Sequence, residues 1–214
     1  MEDKALLSTE EASGAEKAEL LIVIPAYNEA ENIERVVNHL TANFPQYDYV
    51  VVNDGSRDET AAICQRNGYN LLNLPVNLGL AGAFQAGLKY ADKYGYQYAV
   101  QLDGDGQHRP EDCRNCSEAM LRDDKIVLGV RDFTLPDVPK RSRRGNHVTS
   151  AVFRIFCGMK LSDTQTGLRA IPIDLLPQIL EVKGDRYEFE TQMLLDFKTY
   201  SIPYEEVKIE TVYI

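Results

Sequence analysis

Five short apolar runs, four of them shut off by Pro, amide or acidic residues, constrain this chain more than any other feature. Residues 20–24 end at Pro25. Residues 49–52 run into Asn53-Asp54-Gly55-Ser56, and residues 71–74 form a third run. Residues 98–102 stop at Asp103, and residues 126–130 complete the set. The runs are mostly apolar rather than alternating, with Asn73 and Gln101 the polar exceptions, the pattern of strands covered on both faces. Helical patterns lie between them. Ile33, Val36, Val37 and Leu40 fall at i, i+3, i+4 and i+7, the stripe of one helix. A short helix stops at Gly68, residues 79–94 are Ala-rich and helical, and another helix opens near Pro110, since Pro suits a first turn. Strand–helix alternation over about 130 residues specifies an α/β fold with a mostly parallel central sheet and helices on both faces. After Arg131 the pattern changes to a Pro-rich basic stretch, a helix around 148–156, two further helical segments and a strand-like run over 206–214. No repeat or low-complexity linker divides the chain. Residues 20–214 read as one domain, and the acidic, aperiodic residues 1–19 as a mobile tail.

Composition removes several function classes. The net charge of −10 argues against general nucleic-acid binding, which depends on Lys and Arg neutralising phosphates. With 44% hydrophobic and 26% charged residues the chain is no disordered protein. No apolar run reaches the ~18 residues of a membrane-spanning helix, and the N-terminus lacks the basic, apolar and small-residue succession of a signal peptide. Four cysteines make no disulfide scaffold, so a cytoplasmic location is the default expectation.

The polar clusters carry the chemistry. Pro25-Ala26-Tyr27-Asn28-Glu29 follows the first strand, Asn53-Asp54-Gly55-Ser56 the second, and Asp103-Gly104-Asp105-Gly106-Gln107-His108 the fourth. Asp, Asn, Gly and Ser are ordinary turn residues, so one such segment alone is turn chemistry. Three at equivalent strand ends converge, because ligands of open parallel sheets sit beyond the carboxyl ends of the strands. Asp103 and Asp105, two apart among glycines, direct two carboxylates into one pocket. Hard cations such as Mg²⁺ take oxygen ligands of this kind and leave room for phosphates. A calcium EF-hand loop needs Gly at position six and Glu at twelve, where this chain has His108 and Arg114. His108 reads as a hydrogen-bonding neighbour before a metal ligand. Cys113 and Cys116 lack a second ligand pair for zinc and read as two small semi-buried helix residues. The Tyr90, Tyr94, Tyr96 and Tyr98 cluster reads as packing. Lys140, Arg141, Arg143 and Arg144 make a basic knot in an acidic chain, either a solvated loop or a trap for an anion.

These motifs, with Gly129-Val130-Arg131, the segment Asp163-Thr164-Gln165-Thr166-Gly167-Leu168-Arg169 and Tyr187-Glu188-Phe189-Glu190, resemble the family-two inverting glycosyltransferases of the GT-A fold. Within that family they are similar to the branch that glycosylates dolichyl and bacterial polyprenyl phosphates. The resemblance runs from about Leu20 to Ile214. It implies a metal-dependent hexosyltransferase of cell-envelope glycan biosynthesis, using Mg²⁺ or Mn²⁺, a GDP- or UDP-linked sugar and a polyprenyl phosphate acceptor. Pro25, Tyr27, Glu29, Val52 and Asp54 would line the base and ribose pocket. Asp103 and Gly104 would flank the ribose and pyrophosphate, and Asp105 with Gln107 would hold the metal. Arg131 would add positive charge at the diphosphate, which makes Asp105 and Arg131 the expected catalytic residues. Arg141, Arg143, Arg144 and Arg169 would serve the lipid phosphate, with Glu190 orienting Arg169 or pairing with it structurally. Many relatives have an aspartate where this chain has Asn53, and the base-contacting role maps to Asp54.

Two other readings stay open on sequence grounds. The same fold acts on glycan acceptors in processive synthases, whose Gln-x-x-Arg-Trp motif cannot occur in a chain without Trp. A non-catalytic nucleotide-sugar-binding module is the second, and the intact Asp103, Asp105 and Gln107 set speaks against it. Relatives continue past the last strand into a loop over the donor and often into membrane-associating helices. The expectation is therefore a truncated catalytic domain, cytoplasmic and peripheral at the inner face of a membrane.

Overall fold

The structure, a computed structural model, describes residues 19–106, 108–136, 138–164, 166–182 and 187–210. The tail expected over residues 1–19 lies almost entirely outside the described residues, as does the end of the strand-like run expected over 206–214. The chain alternates β1 (Leu20–Ala26), α1 (Ile33–Asn43), β2 (Asp48–Asn53), α2 (Thr60–Arg66), β3 (Leu71–Asn73), α3 (Gly79–Lys93), β4 (Tyr98–Gln101), α4 (Pro110–Asp123) and β5 (Ile126–Arg131). It continues with α5 (Lys140–Val152), a π-helical turn (Phe153–Cys157), β6 (Arg169–Pro172), α6 (Leu176–Glu181), α7 (Tyr187–Thr199) and β7 (Tyr204–Ile209).

The strands form one sheet in the order β3-β2-β1-β4-β6-β5-β7. β6 runs antiparallel to β4 and β5, and every other pairing is parallel. Alternation along β1 supplies both cores. Leu21 and Val23 face a cluster with Ala83, Phe84 and Leu88 of α3 and Phe189, Met193 and Phe197 of α7. Leu20, Ile22 and Ile24 face a cluster with Val37 and Leu40 of α1 and Cys113, Cys116 and Met120 of α4. Each fully buried side chain of this size stabilises by about 1.5–3 kcal/mol, so two apolar faces hold the sheet from both sides. Gly87 of α3 lets that helix approach β1, since a Cβ there would overlap Val23 Cγ1.

One local expectation is corrected. The basic knot is no loop: α5 begins at Lys140, so its cations occupy the first helical turns, well before residue 148. Residues 169–172, to which the sequence pattern assigns no element of their own, form the strand β6, and the two further helical segments are α6 and α7. Cys113 and Cys116 are fully buried, and burial pushes the Cys116 thiol up to about 12, which suits packing residues rather than ligands. The Tyr90 and Tyr94 rings pack at 4.4 Å, tilted by 41°, and the Tyr96 and Tyr98 hydroxyls donate to Asp48 and Asp124 at 2.8 and 3.3 Å.

Candidate active site

Because β1, β2 and β4 are parallel, Pro25–Glu29, Asp54 and Asp103–Asp105 meet along one edge of the sheet. They line a cleft of ≈ 550 Å³ together with Asn77, Gly79, Leu80 and Ala83. Of the expected donor-binding residues, Pro25, Tyr27, Glu29, Asp54, Asp103, Gly104 and Asp105 are all in its wall. Val52 and Arg131 are not. The Val52 side chain alternates into the core beneath, 0% exposed, and Arg131 ends β5, outside the wall. The contribution of α3 escapes the sequence motifs, although Asn77-x-Gly79 ahead of an apolar helix is a visible signal for a helix entrance.

The loops after β1 and β2 are laced to each other. Asn28 N–H donates to Ser56 Oγ (3.0 Å), Arg57 N–H to Asn28 Oδ1 (2.9 Å), Glu29 N–H to Thr60 Oγ1 (2.9 Å) and Ala30 N–H to Asp58 Oδ2 (3.1 Å). These bonds hold Tyr27, 43% exposed, over the cleft. Asn28 takes a left-handed φ of 58°, a conformation Asn tolerates better than most residues. Asn53 is buried and donates to Asn73 Oδ1 at 2.5 Å while accepting from Ser56 N–H at 3.3 Å, which gives the amide at this position a structural use.

Asp54 faces the entrance of α3. Its Oδ1 accepts the Leu78 N–H at 2.6 Å, and its carbonyl accepts from Asn77 Nδ2 at 3.1 Å. The carboxylate thus satisfies a donor that the helix N-terminus leaves open. Burial raises the Asp54 pKa, against the Leu78 and Gly79 N–H groups. Gly55, at φ +65, is required here because a Cβ would meet Asn77 N at 2.7 Å.

Asp103 is held from two sides. Gln101 Nε2 donates to its Oδ1 at 2.9 Å, and His108 Nε2 stands 3.4 Å from its Oδ2. Burial raises its pKa, but His108, Gln101 and Arg169 together outweigh that and leave it below the ordinary value. Glu29 is raised, first by burial and then by repulsion from Asp105, Asp58 and Asp103, while Asn32 Nδ2 donates to it at 3.0 Å. Asp103 and Asp105 thus bring negative charge to the same cleft as Glu29, and carboxylate oxygens are the ligand type a hard divalent cation takes. Among the described residues no group of three or more His, Cys, Asp or Glu could hold a metal ion by itself. An ion such as Mg²⁺ takes one or two carboxylates and completes its shell with water and phosphate. Gln107 lies outside the described residues.

Arg131, at the end of β5, forks onto Asp163. Its Nε and a terminal nitrogen donate to the two carboxylate oxygens at 2.6 and 3.0 Å, and the Phe133 ring lies 5.1 Å from the guanidinium. Asp163 is fully buried, and a bidentate pair of this kind fixes the fork in one orientation. The segment from Ser162 to Leu168 connects this pair to the cleft. At its far end Gly167 abuts Asp103, where a Cβ would overlap Oδ2. Sequence marks the motif that contains Asp163 and Gly167, but only the fold gives the two residues these roles, since both partners are remote along the chain.

Arg169 is 2% exposed and bonded to Glu190 at 3.3 Å, behind Asp103. It does not extend to the surface beside the cations of α5, because β6 buries it in the sheet. Glu190 is raised by burial, against Arg169 and with Asp103 and Asp163. Lys140, Arg141, Arg143 and Arg144 are exposed on the first turns of α5, with one Arg143 nitrogen donating to the Leu135 carbonyl at 2.6 Å.

An acidic cleft at the carboxyl edge of a largely parallel sheet, with clamped arginines beside it, is the arrangement of enzymes that take sugars from nucleotide diphosphates. The profile of Glycosyl transferase family 2 matches residues 21–176, and the chain belongs to that family of glycosyltransferases. It is 32% identical over 216 residues to a UDP-N-acetylglucosamine–dolichyl-phosphate N-acetylglucosaminyltransferase of Methanococcus voltae, covering 91% of this chain and 86% of that one. It is 31% identical over 186 residues to an undecaprenyl-phosphate mannosyltransferase of Micrococcus luteus, covering 81% and 75%. Glucosyl-3-phosphoglycerate synthase of Mycobacterium tuberculosis, solved with Mn²⁺, UDP and glucosyl-3-phosphoglycerate, superposes with a TM-score of 0.72 at 16% identity, over 96% of this chain and 78% of that one. That likeness shows the GT-A fold.

Proposed function

We propose that this chain moves one sugar from a GDP- or UDP-linked donor to a polyprenyl phosphate, inverting the anomeric carbon. The observation that carries this reading is the pairing of an acidic donor cleft with a basic helix start one strand-end away. Cations in the first turns of α5 oppose the helix dipole, at a cost of about 0.3–1 kcal/mol each. An anion seated there offsets that cost, and the phosphate of a lipid acceptor supplies one. Relatives named as dolichyl- and undecaprenyl-phosphate transferases support the same acceptor class.

Pro25, Tyr27, Glu29 and Asp54 hold the nucleoside, and Asp103 and Gly104 the ribose and diphosphate side. Asp105, with Gln107, would carry Mg²⁺ or Mn²⁺, which neutralises the diphosphate as its bond to the sugar breaks. Arg131, fixed by Asp163, adds positive potential at the same leaving group. An acceptor phosphate oxygen is already ionised at neutral pH, so it attacks the anomeric carbon without a general base. Arg141, Arg143 and Arg144 hold that phosphate, and Arg169 acts from behind by fixing the charge of Asp103. Among the described residues no helix is long and apolar enough to cross a membrane. The reading places the enzyme in the cytoplasm, peripheral at the inner membrane face.

Calorimetry of Mn²⁺-dependent nucleoside diphosphate binding tests the assignment. Asp105→Ala should lower that affinity by tenfold or more, about 1.4 kcal/mol, while far-UV dichroism stays unchanged. Metal dependence equal to the wild type would overturn the role of Asp105. A thermal-shift screen of GDP and UDP sugars identifies the donor, because a ligand of the folded state raises stability by mass action.

A further inference from the structure

The stretch from Val138 to Ser162 is charged unlike the rest of the molecule. It holds six of the 23 Lys and Arg residues and none of the 33 Asp and Glu. It also carries the most exposed large apolar side chains of the described surface, Phe156 at 81% and Ile155 at 74%, with Val148 at 61% and Val152 at 46%. Helical spacing orders them. Arg141, Arg144, Val148, Val152 and Ile155 recur every three or four residues and so share one side of α5 and its π-helical extension. The first part of that stripe is cationic and the second apolar. Asn146 and Phe153 are buried on the other side, so the helix is anchored with its apolar stripe outward. Exposed apolar side chains flanked by cations on a helix of low overall hydrophobicity are what a bilayer interface takes up, acyl chains against the apolar part and headgroups against the cations.

We propose that α5 and the following π-helical turn form a membrane-docking surface that seats the apolar stripe among the acyl chains of an anionic bilayer, with the cations at its headgroups. The inference deepens the lipid-acceptor reading and rests on it. Charge complementarity selects the occupant. A second copy of this chain would bring a basic stripe against a basic stripe, whereas an anionic leaflet attracts it and is repelled by the remaining acidic surface. That contrast fixes the orientation. Docking is coupled to the cleft through hydrogen bonds. Asn146 Nδ2 donates to the Ser162 carbonyl at 2.7 Å, Thr164 N–H donates to Asn146 Oδ1 at 3.2 Å, and the Thr149 and Thr164 hydroxyls are 2.7 Å apart. Between Ser162 and Thr164 stands Asp163, the anchor of Arg131.

Co-sedimentation with vesicles of phosphatidylcholine, with and without phosphatidylglycerol, tests this in the absence of any sugar donor or prenyl phosphate. The chain should bind the anionic vesicles and be released by salt. The double variant Ile155→Ser, Phe156→Ser should lose about tenfold or more in partitioning, with an unchanged melting temperature because both side chains are exposed. Ile155→Leu, Phe156→Leu should bind like the wild type. Equal binding by the serine variant, or no binding by the wild type, overturns the docking surface. So does a concentration-dependent dimer in sedimentation velocity that the serine variant abolishes. Transfer to a short, water-soluble prenyl phosphate keeps the two readings apart. The serine variant should retain it while losing transfer to a long-chain acceptor embedded in vesicles. A wild type that glycosylates neither acceptor refutes the lipid-acceptor reading, and the vesicle measurement then judges docking alone.

Discussion

Removing either member of the buried Arg169–Glu190 pair should have very unequal consequences. At 3.3 Å the two charges attract by about 5 kcal/mol at an effective dielectric of about 20. Burial of each ion costs several kcal/mol against that. Glu190 shows which side prevails at its own carboxyl. Its pKa is raised by burial, despite Arg169 and with the help of Asp103 and Asp163. The ionised form is therefore disfavoured in the fold relative to the neutral one. Glu190→Gln, which resembles the neutral acid, should cost at most about 1 kcal/mol, near the net worth of one hydrogen bond. Arg169→Met leaves Asp103 and Glu190 without their shared cation and should cost about 3–5 kcal/mol at neutral pH. In urea, with a slope of about 2.5 kcal/mol per molar, the midpoint should fall by roughly 1.2–2 M for Arg169→Met and by under about 0.4 M for Glu190→Gln. A carboxyl with a raised folded pKa takes up a proton on folding. The stability of the wild type relative to Glu190→Gln should thus be greatest below the ordinary carboxylate range and fall as pH rises through the folded value. Equal, large losses in the two variants would refute the reasoning, as would a difference that grows in favour of Glu190 with rising pH.

Two further outcomes separate packing from site geometry. Gly167→Ala should displace Asp103 and lower donor affinity in calorimetry, whereas Gly87→Ala, which crowds Val23, should cost about 1–3 kcal/mol in a denaturant melt with donor affinity unchanged once folded. Asp163→Asn should keep the fold of the segment but loosen the Arg131 fork, lowering transfer rate more than donor affinity in steady-state kinetics. A loss of donor affinity with the transfer rate unchanged would show that Arg131 only binds.

The first 130 residues are legible in the sequence because each strand is built around a short, mostly apolar run and the helices carry apolar stripes, signals that local sequence carries. The cleft follows, since parallel strands deliver their polar ends to one edge. What local pattern does not show is β6. Residues 169–172 are four long, lead straight into Pro172 and begin with a buried Arg. Only their place between β4 and β5 makes them a strand. The same blindness hides the inward turn of Arg169 and puts Val52 in the pocket, because a residue's face depends on register and not on its neighbours in sequence. The start of α5 is obscured because cations in a first turn are unfavourable to a helix taken alone. Asn77 and Gly79 enter the cleft through the capping of α3 by Asp54, a contact across 24 residues.

The reversed strand also sets a timetable for synthesis. As the chain leaves the ribosome, β1 to β4 can pair among themselves, but β5 can pair only with β6 and β7, both made later. Until β6 emerges, about 40 residues after β5, the growing sheet has an open margin at β4 and an apolar strand without neighbours. At roughly 5–20 residues per second that interval lasts some seconds. Unpaired strand edges are templates for wrong pairing, so nascent chains arrested between residues 131 and 169 should be the species most dependent on chaperones.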